Sequence, residues 1–153
     1  MTLPAGLRAN TLAAVVMLLL QYGLGIGASL YATLPASDHG KSIFAAFAAS
    51  ITKGPDVVIA HAVLGTLLII TATNAFIRSL RARLAPIIML AAVGLAAISV
   101  AWLFGARFMG TSTDSASLAM AIATGIAILA YTLILFWAAA TNTGNNHRGF
   151  AAR

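Results

Sequence analysis

Four runs of apolar residues, near 11–34, 56–77, 85–106 and 117–140, constrain this chain more than anything else in it. Each is long enough to cross the roughly 30 Å hydrocarbon core of a bilayer, which takes about 20 helical residues. Strands of a membrane barrel would alternate apolar and polar side chains over about ten residues, and these runs do not alternate. In hydrocarbon every backbone amide needs a partner, which a helix supplies from within the segment, so the runs are expected to be helices. Composition agrees. Of the 153 residues 61 % are hydrophobic and 8 % charged, against roughly a quarter charged in a soluble domain. The expected fold is all-α: a polytopic four-transmembrane-helix bundle, with 1–153 as a single membrane domain.

The first run is read as a retained helix. From Thr11 to Leu34 it exceeds the apolar core of a signal peptide, about 7–15 residues, and Leu34-Pro35-Ala36 makes a poor cleavage site. The absence of cysteine excludes disulfides, iron–sulfur clusters, thiolate haem ligation and covalent haem attachment through CxxCH.

The nine Lys and Arg residues divide cleanly over four spans. Arg8, Arg78, Arg81, Arg83, Arg148 and Arg153 fall on one side. Lys41, Lys53 and Arg107 fall on the other, together with Asp38, Asp56 and Asp114. The positive-inside rule then makes both termini and the 78–83 loop cytoplasmic, in a multi-pass protein of the bacterial cytoplasmic (inner) membrane. The formal charge of +6 lies on that face, opposite anionic headgroups. "RSLRAR" at 78–83 is too short for a groove-binding element and has no interleaved aromatics. The expected partners are the lipid bilayer and a larger membrane complex or homo-oligomer, not nucleic acid.

Along the chain, "QYGLGIGASLY" (21–31) places Gly23 and Gly27 in a GxxxG pair with Gly25 between, a spacing that admits a close neighbour. Gln21 lies near mid-depth, where it is costly unless it bonds across the bundle. The outer loop, about 35–55, contains "SIFAAFAASI", in which Ile43, Phe44, Phe47 and Ile51 form one face of a short amphipathic helix. Gly54 and Pro55 end it, and Asp56 is placed to cap the next helix. Pro86 suits the first turn of the third span, which is expected to end near Trp102, an interfacial anchor. The loop "GTSTDSAS" offers caps for the fourth span, and the tail "TNTGNNHRGFAAR" reads as frayed, with His147 solvated. "GASLYAT" (27–33) and "GARFMGT" (105–111) hint at a duplicated helix pair.

"DVVIAHAVLG" (56–65) carries the one ionisable group well inside a span, His61, and such groups are functional candidates. At 1.5 Å per residue it lies about 7 Å below the outer end of its helix, with Gly65 one turn further on the same face. A histidine with a glycine one turn away can seat a haem face-on, the imidazole serving as axial ligand to the iron. Met120, near the outer end of the fourth span, supplies a thioether for the second axial position. Lys53 and Arg107 stand at the rim where haem propionates would point, and Trp102 is placed to pack on the ring. Two other roles for His61 remain open: a structural hydrogen bond to a neighbouring helix, and a proton-relay or quinone-site residue. No second histidine or carboxylate lies at this depth for a simple metal site.

At "GPDVVIAHAVLGTLL" the chain resembles one half of the haem A synthase type of membrane protein, a four-helix unit with a histidine near the outer start of its second helix. It is also similar to small four-span membrane proteins of actinobacteria with a "GP…HxxLG" pattern. The resemblance covers the order of spans, the long first outer loop, and His61 with Gly65. It implies haem b held near the outer face. Haem A synthases have two halves with paired histidines, and a glutamate shortly before the helix-two histidine. This chain has one half and no glutamate, so the resemblance does not imply their oxidation chemistry.

Two classes of function follow. One is a b-type haem protein that transfers electrons or senses redox state. The other is a non-catalytic membrane subunit, assembly factor or scaffold in which His61 is structural. No nucleophile–base pair, phosphate loop or metal motif marks an enzyme, and no broken helix or charged pair marks a transporter.

Overall fold

A computed structural model describes residues 5–31, 42–111 and 113–150. Its elements are five helices in chain order: α1 (Ala5–Tyr31), α2 (Ile43–Lys53), α3 (Asp56–Ala82), α4 (Ala85–Thr111) and α5 (Asp114–Phe150). Four helical stretches are long and apolar enough to cross a membrane: Ala5–Tyr31, Asp56–Ala82, Ala85–Gly110 and Asp114–Trp137. They present Leu19, Ile70, Met89, Leu129 and Phe136 outward, a surface suited to lipid rather than water.

The helices overrun the expected spans because hydropathy marks the apolar thickness, while a helix ends only where something breaks it. Thus α1 begins six residues before the first apolar run. "RSLRAR" is not a loop either: Arg78 and Arg81 lie in the last turns of α3. The reversal is confined to Arg83 and Leu84, with Arg83 in the left-handed region at φ 54° and ψ 28°, its N–H donating to the Leu80 carbonyl at 3.3 Å. The tail expected to fray continues as helix to Phe150. His147 lies outside the described side chains, and Asp38 and Lys41 lie outside the described residues.

Helix α2 is the short surface helix read from the sequence, with a different face turned inward. Its packed residues are Ala46 and Ser50, one turn apart, with Phe47 beside them, whereas Phe44 is 76 % exposed. Small residues let α2 lie close upon α3 and α4, the spans it packs against most. Ser42 caps its start, the hydroxyl accepting from Ala45 N–H at 3.4 Å. Gly54 ends it with an N–H donated to the Ser50 carbonyl at 3.1 Å; any Cβ there would collide with that oxygen. Asp56 is not the cap of α3. Pro55 holds that position without a side-chain bond, and Asp56 occupies the first turn, where its charge favours the helix dipole.

The spans form a ring in which α1 neighbours α3 and α5, and α4 neighbours the same two. Spans α1 and α3 run antiparallel: as α1 advances from Asn10 through Gln21 to Gly27, its partners on α3 retreat from Thr71 through His61 to Val57. Asn10 Nδ2 donates to the Thr71 carbonyl at 2.9 Å, and Trp102 Nε1 donates to Thr66 Oγ1 at 3.2 Å. The end remote from α2 is closely packed. Ala14, Ala72, Ala75, Ala91 and Ala127 are fully buried there, around Leu7, Ile87, Tyr131 and Ile134. Alanine at these positions lets the backbones approach, the usual basis of cohesion between membrane helices.

Candidate functional site

The α2 end is built differently. There the four spans and α2 surround a cavity of about 360 Å³, within the range of small-molecule sites. Its walls are largely apolar. The residues that matter chemically are Gln21 of α1, His61 of α3, Trp102 of α4 and Met120 of α5. Phe47 and Ser50 contribute the wall on the α2 side.

His61 reaches this site because Gly25 on α1 faces it. A Cβ at Gly25 would stand 3.2 Å from His61 Cε1, so the glycine allows the ring to lie against the α1 backbone. One turn down α1, Gln21 Nε2 donates to the His61 backbone carbonyl at 3.0 Å and lies 3.2 Å from His61 Nε2. A carbonyl oxygen only accepts, which fixes the amide nitrogen on this side of Gln21. That nitrogen carries only donor hydrogens, so the ring Nε2 facing it is an acceptor and the neutral ring holds its proton on Nδ1. The cross-bundle bond expected of Gln21 is therefore present, and its partner is His61.

Two polar atoms of this pair, Gln21 Oε1 and His61 Nδ1, are buried and have no hydrogen-bonding partner among the described residues. One is an acceptor and the other a donor. An unpaired buried group costs about 1–3 kcal/mol, and both groups belong to cavity-lining residues.

Gly65 lies beside the same pair. A Cβ there would stand 3.1 Å from Gln21 Nε2 and 3.8 Å from Trp102 Cδ1, so the room expected for a flat ligand is shared by an amide and an indole. Trp102 does not end its helix, since α4 continues nine residues beyond it. Its ring packs inward against Phe47, with centroids 5.0 Å apart and planes at 50°. Met120 borders the cavity with its sulfur against Gly105, 3.2 Å from where a Cβ would be. Of the six residues singled out from the sequence, His61, Gly65, Trp102 and Met120 thus meet around one cavity. Lys53 and Arg107 are exposed and do not line it.

The GxxxG pair divides its work. Gly27 packs on Val57 of α3, while Gly23 has nothing within 4 Å of its would-be Cβ and faces outward. From the sequence this short helix is expected to lie on the outer surface as a lid over the bundle; Phe47 and Ser50 line the cavity, and Ser50, a polar residue among apolar ones, is the available signal.

No family model, curated protein or solved structure matches this chain. The functional argument rests on the site itself.

Proposed function

We propose that this protein is a multi-pass membrane protein that holds one small, largely apolar molecule within the α2 end of its bundle, with His61 and Gln21 as the polar anchor. The observation that carries the reading is the cavity of about 360 Å³ with the His61–Gln21 pair in its wall. A bundle serving only as a scaffold gains nothing from a cavity, since unfilled interior volume sacrifices packing. The charge distribution supports an orientation with both termini cytoplasmic and the α2 end facing outward, in a bacterial inner membrane. Native mass spectrometry of the protein released from membranes tests this. One small-molecule adduct is expected on the wild type and none on Ala62→Phe, which puts a ring into the cavity; bare protein in both would remove the proposal.

A b-type haem is a second occupant, giving an electron-transfer or redox-sensing role. What favours it is that His61 and Met120, an imidazole and a thioether, border the same cavity. Haem would supply one-electron chemistry; this chain would hold it through His61 and Met120. His61 would hold the iron through the Nε2 lone pair that now accepts from Gln21, so Gln21 would have to turn away. Oxidised and reduced visible spectra of wild type and His61→Ala decide the point: a Soret band lost in the variant establishes haem, and a flat spectrum from haem-supplied cells removes it.

The third reading, a non-catalytic subunit, assembly factor or scaffold, draws support from the same Gln21–His61 bond taken as structural. It predicts that His61→Gln keeps a stable complex with a larger assembly.

A further inference from the structure

Resting on the reading of the cavity as a binding site, we infer that its ligand is a membrane-dissolved hydroxylated ring of the quinol or phenol class, loaded sideways from the lipid between α1 and α5. The head group follows from the unpaired atoms. His61 Nδ1–H needs an acceptor and Gln21 Oε1 needs a donor. A hydroxyl offers both, a quinone carbonyl or an ether only the first, and a hydrocarbon neither. Neither atom is bared to solvent, so the His61 ring turns from its seat on Gly25 as the hydroxyl enters. The ring of the ligand then lies among Trp102, Phe47 and Met120, which suit a flat apolar body.

The route follows from exposure. Among the cavity-lining residues, the exposed ones are Tyr22, Ile26 and Ser29 on α1 and Ala121 on α5; the rest, on every helix, are buried or half-buried. These two helices are adjacent, so the mouth of the cavity lies along their seam and opens on the flank of the bundle. Both helices are membrane-spanning by length and composition. A ligand entering there arrives from the acyl phase, and an apolar tail can remain in the seam while the head is bound.

Trp102 provides a local readout, because the chain has two tryptophans and Trp137→Phe leaves Trp102 alone. The experiment is a quenching titration of that variant in phosphatidylcholine nanodiscs, with prenylated trimethylhydroquinone and its dimethyl ether as probes. Saturable quenching by the quinol is expected, with the ether binding about tenfold more weakly for want of a donor to Gln21 Oε1. Gln21→Leu should erase that preference, whereas His61→Ala should weaken both probes alike, because quinol and ether both accept from His61 Nδ1–H. Because either substitution could unsettle the bundle, Ser29→Phe and Ala121→Phe form an independent arm: each narrows the seam and should slow association at least severalfold. Equal binding of quinol and ether overturns the head-group inference while leaving the cavity reading intact. Quenching with association unchanged in both seam variants overturns the lateral route. Failure of both probes to reach Trp102 overturns this inference, and the native mass spectrum decides separately whether the cavity reading falls with it.

Discussion

Gln21 and His61 are joined by a single amide nitrogen that serves both the backbone carbonyl and the ring of the histidine, at 3.0 and 3.2 Å. The arrangement ties α1 to α3 and also sets the chemistry of the site. It makes Nε2 an acceptor, leaves the proton on Nδ1, and turns the remaining amide oxygen into an unused acceptor. One contact therefore decides which ligands suit the cavity and what any competing ligand must displace.

Removing that contact should be measurable. Gln21→Leu leaves the His61 carbonyl and Nε2 without their donor, and hydrogen bonds between membrane helices average about 0.6 kcal/mol, reaching roughly 1.7. A loss of about 1 kcal/mol is expected in reversible unfolding from mixed micelles. A double-mutant cycle with His61→Ala should show that the two losses do not add.

Arg83 offers the opposite sign. It is the one non-glycine residue with positive φ among those described, at the C-cap of α3, where glycine is the usual occupant. The left-handed conformation costs an L-residue roughly 1 kcal/mol, so Arg83→Gly should raise stability by about that amount in the same unfolding assay. A β-branched replacement, Arg83→Val, should lower it.

The closely packed end makes a sharper demand at Gly94. A Cβ there would stand 2.7 Å from Tyr131 Cε2 and 2.8 Å from Cζ, and Tyr131 is wholly buried. The ring cannot retreat, so Gly94→Ala should destabilise by about 1–3 kcal/mol, the range for overpacking. Tyr131→Leu in that background should recover part of the loss.

Tyr131 itself carries a hydroxyl that is buried without a hydrogen-bonding partner among the described residues. Removing an unsatisfied polar group relieves its desolvation. Tyr131→Phe is expected to leave stability unchanged or raise it by about 1 kcal/mol. A clear loss in the unfolding midpoint would show that the hydroxyl is paired in the membrane.

Four spans were legible because the need to satisfy every amide in hydrocarbon leaves little choice once the apolar runs are long enough. His61 was legible because an ionisable group in a span is conspicuous. Its partner was half-legible: Gln21 stood out as needing a cross-bundle bond, but only the antiparallel register of α1 and α3 brings it to His61. Other features depended on helix rotation, which one sequence fixes poorly when every face is apolar. Gly23 therefore points outward though Gly27 packs inward, α2 buries Ala46 and Ser50 instead of Phe44, and Trp102 points inward from a helix expected to end beside it. Lys53 and Arg107 suited a rim by sequence position, but neither side chain lines the cavity.

The central claim, that the α2 end holds one apolar molecule, is tested most directly by the native mass spectrum of the protein released from its membrane. The account predicts a single adduct of defined mass on the wild type, absent from Ala62→Phe with the fold intact by circular dichroism. Bare protein in both samples, or an adduct of equal abundance on Ala62→Phe, would contradict it.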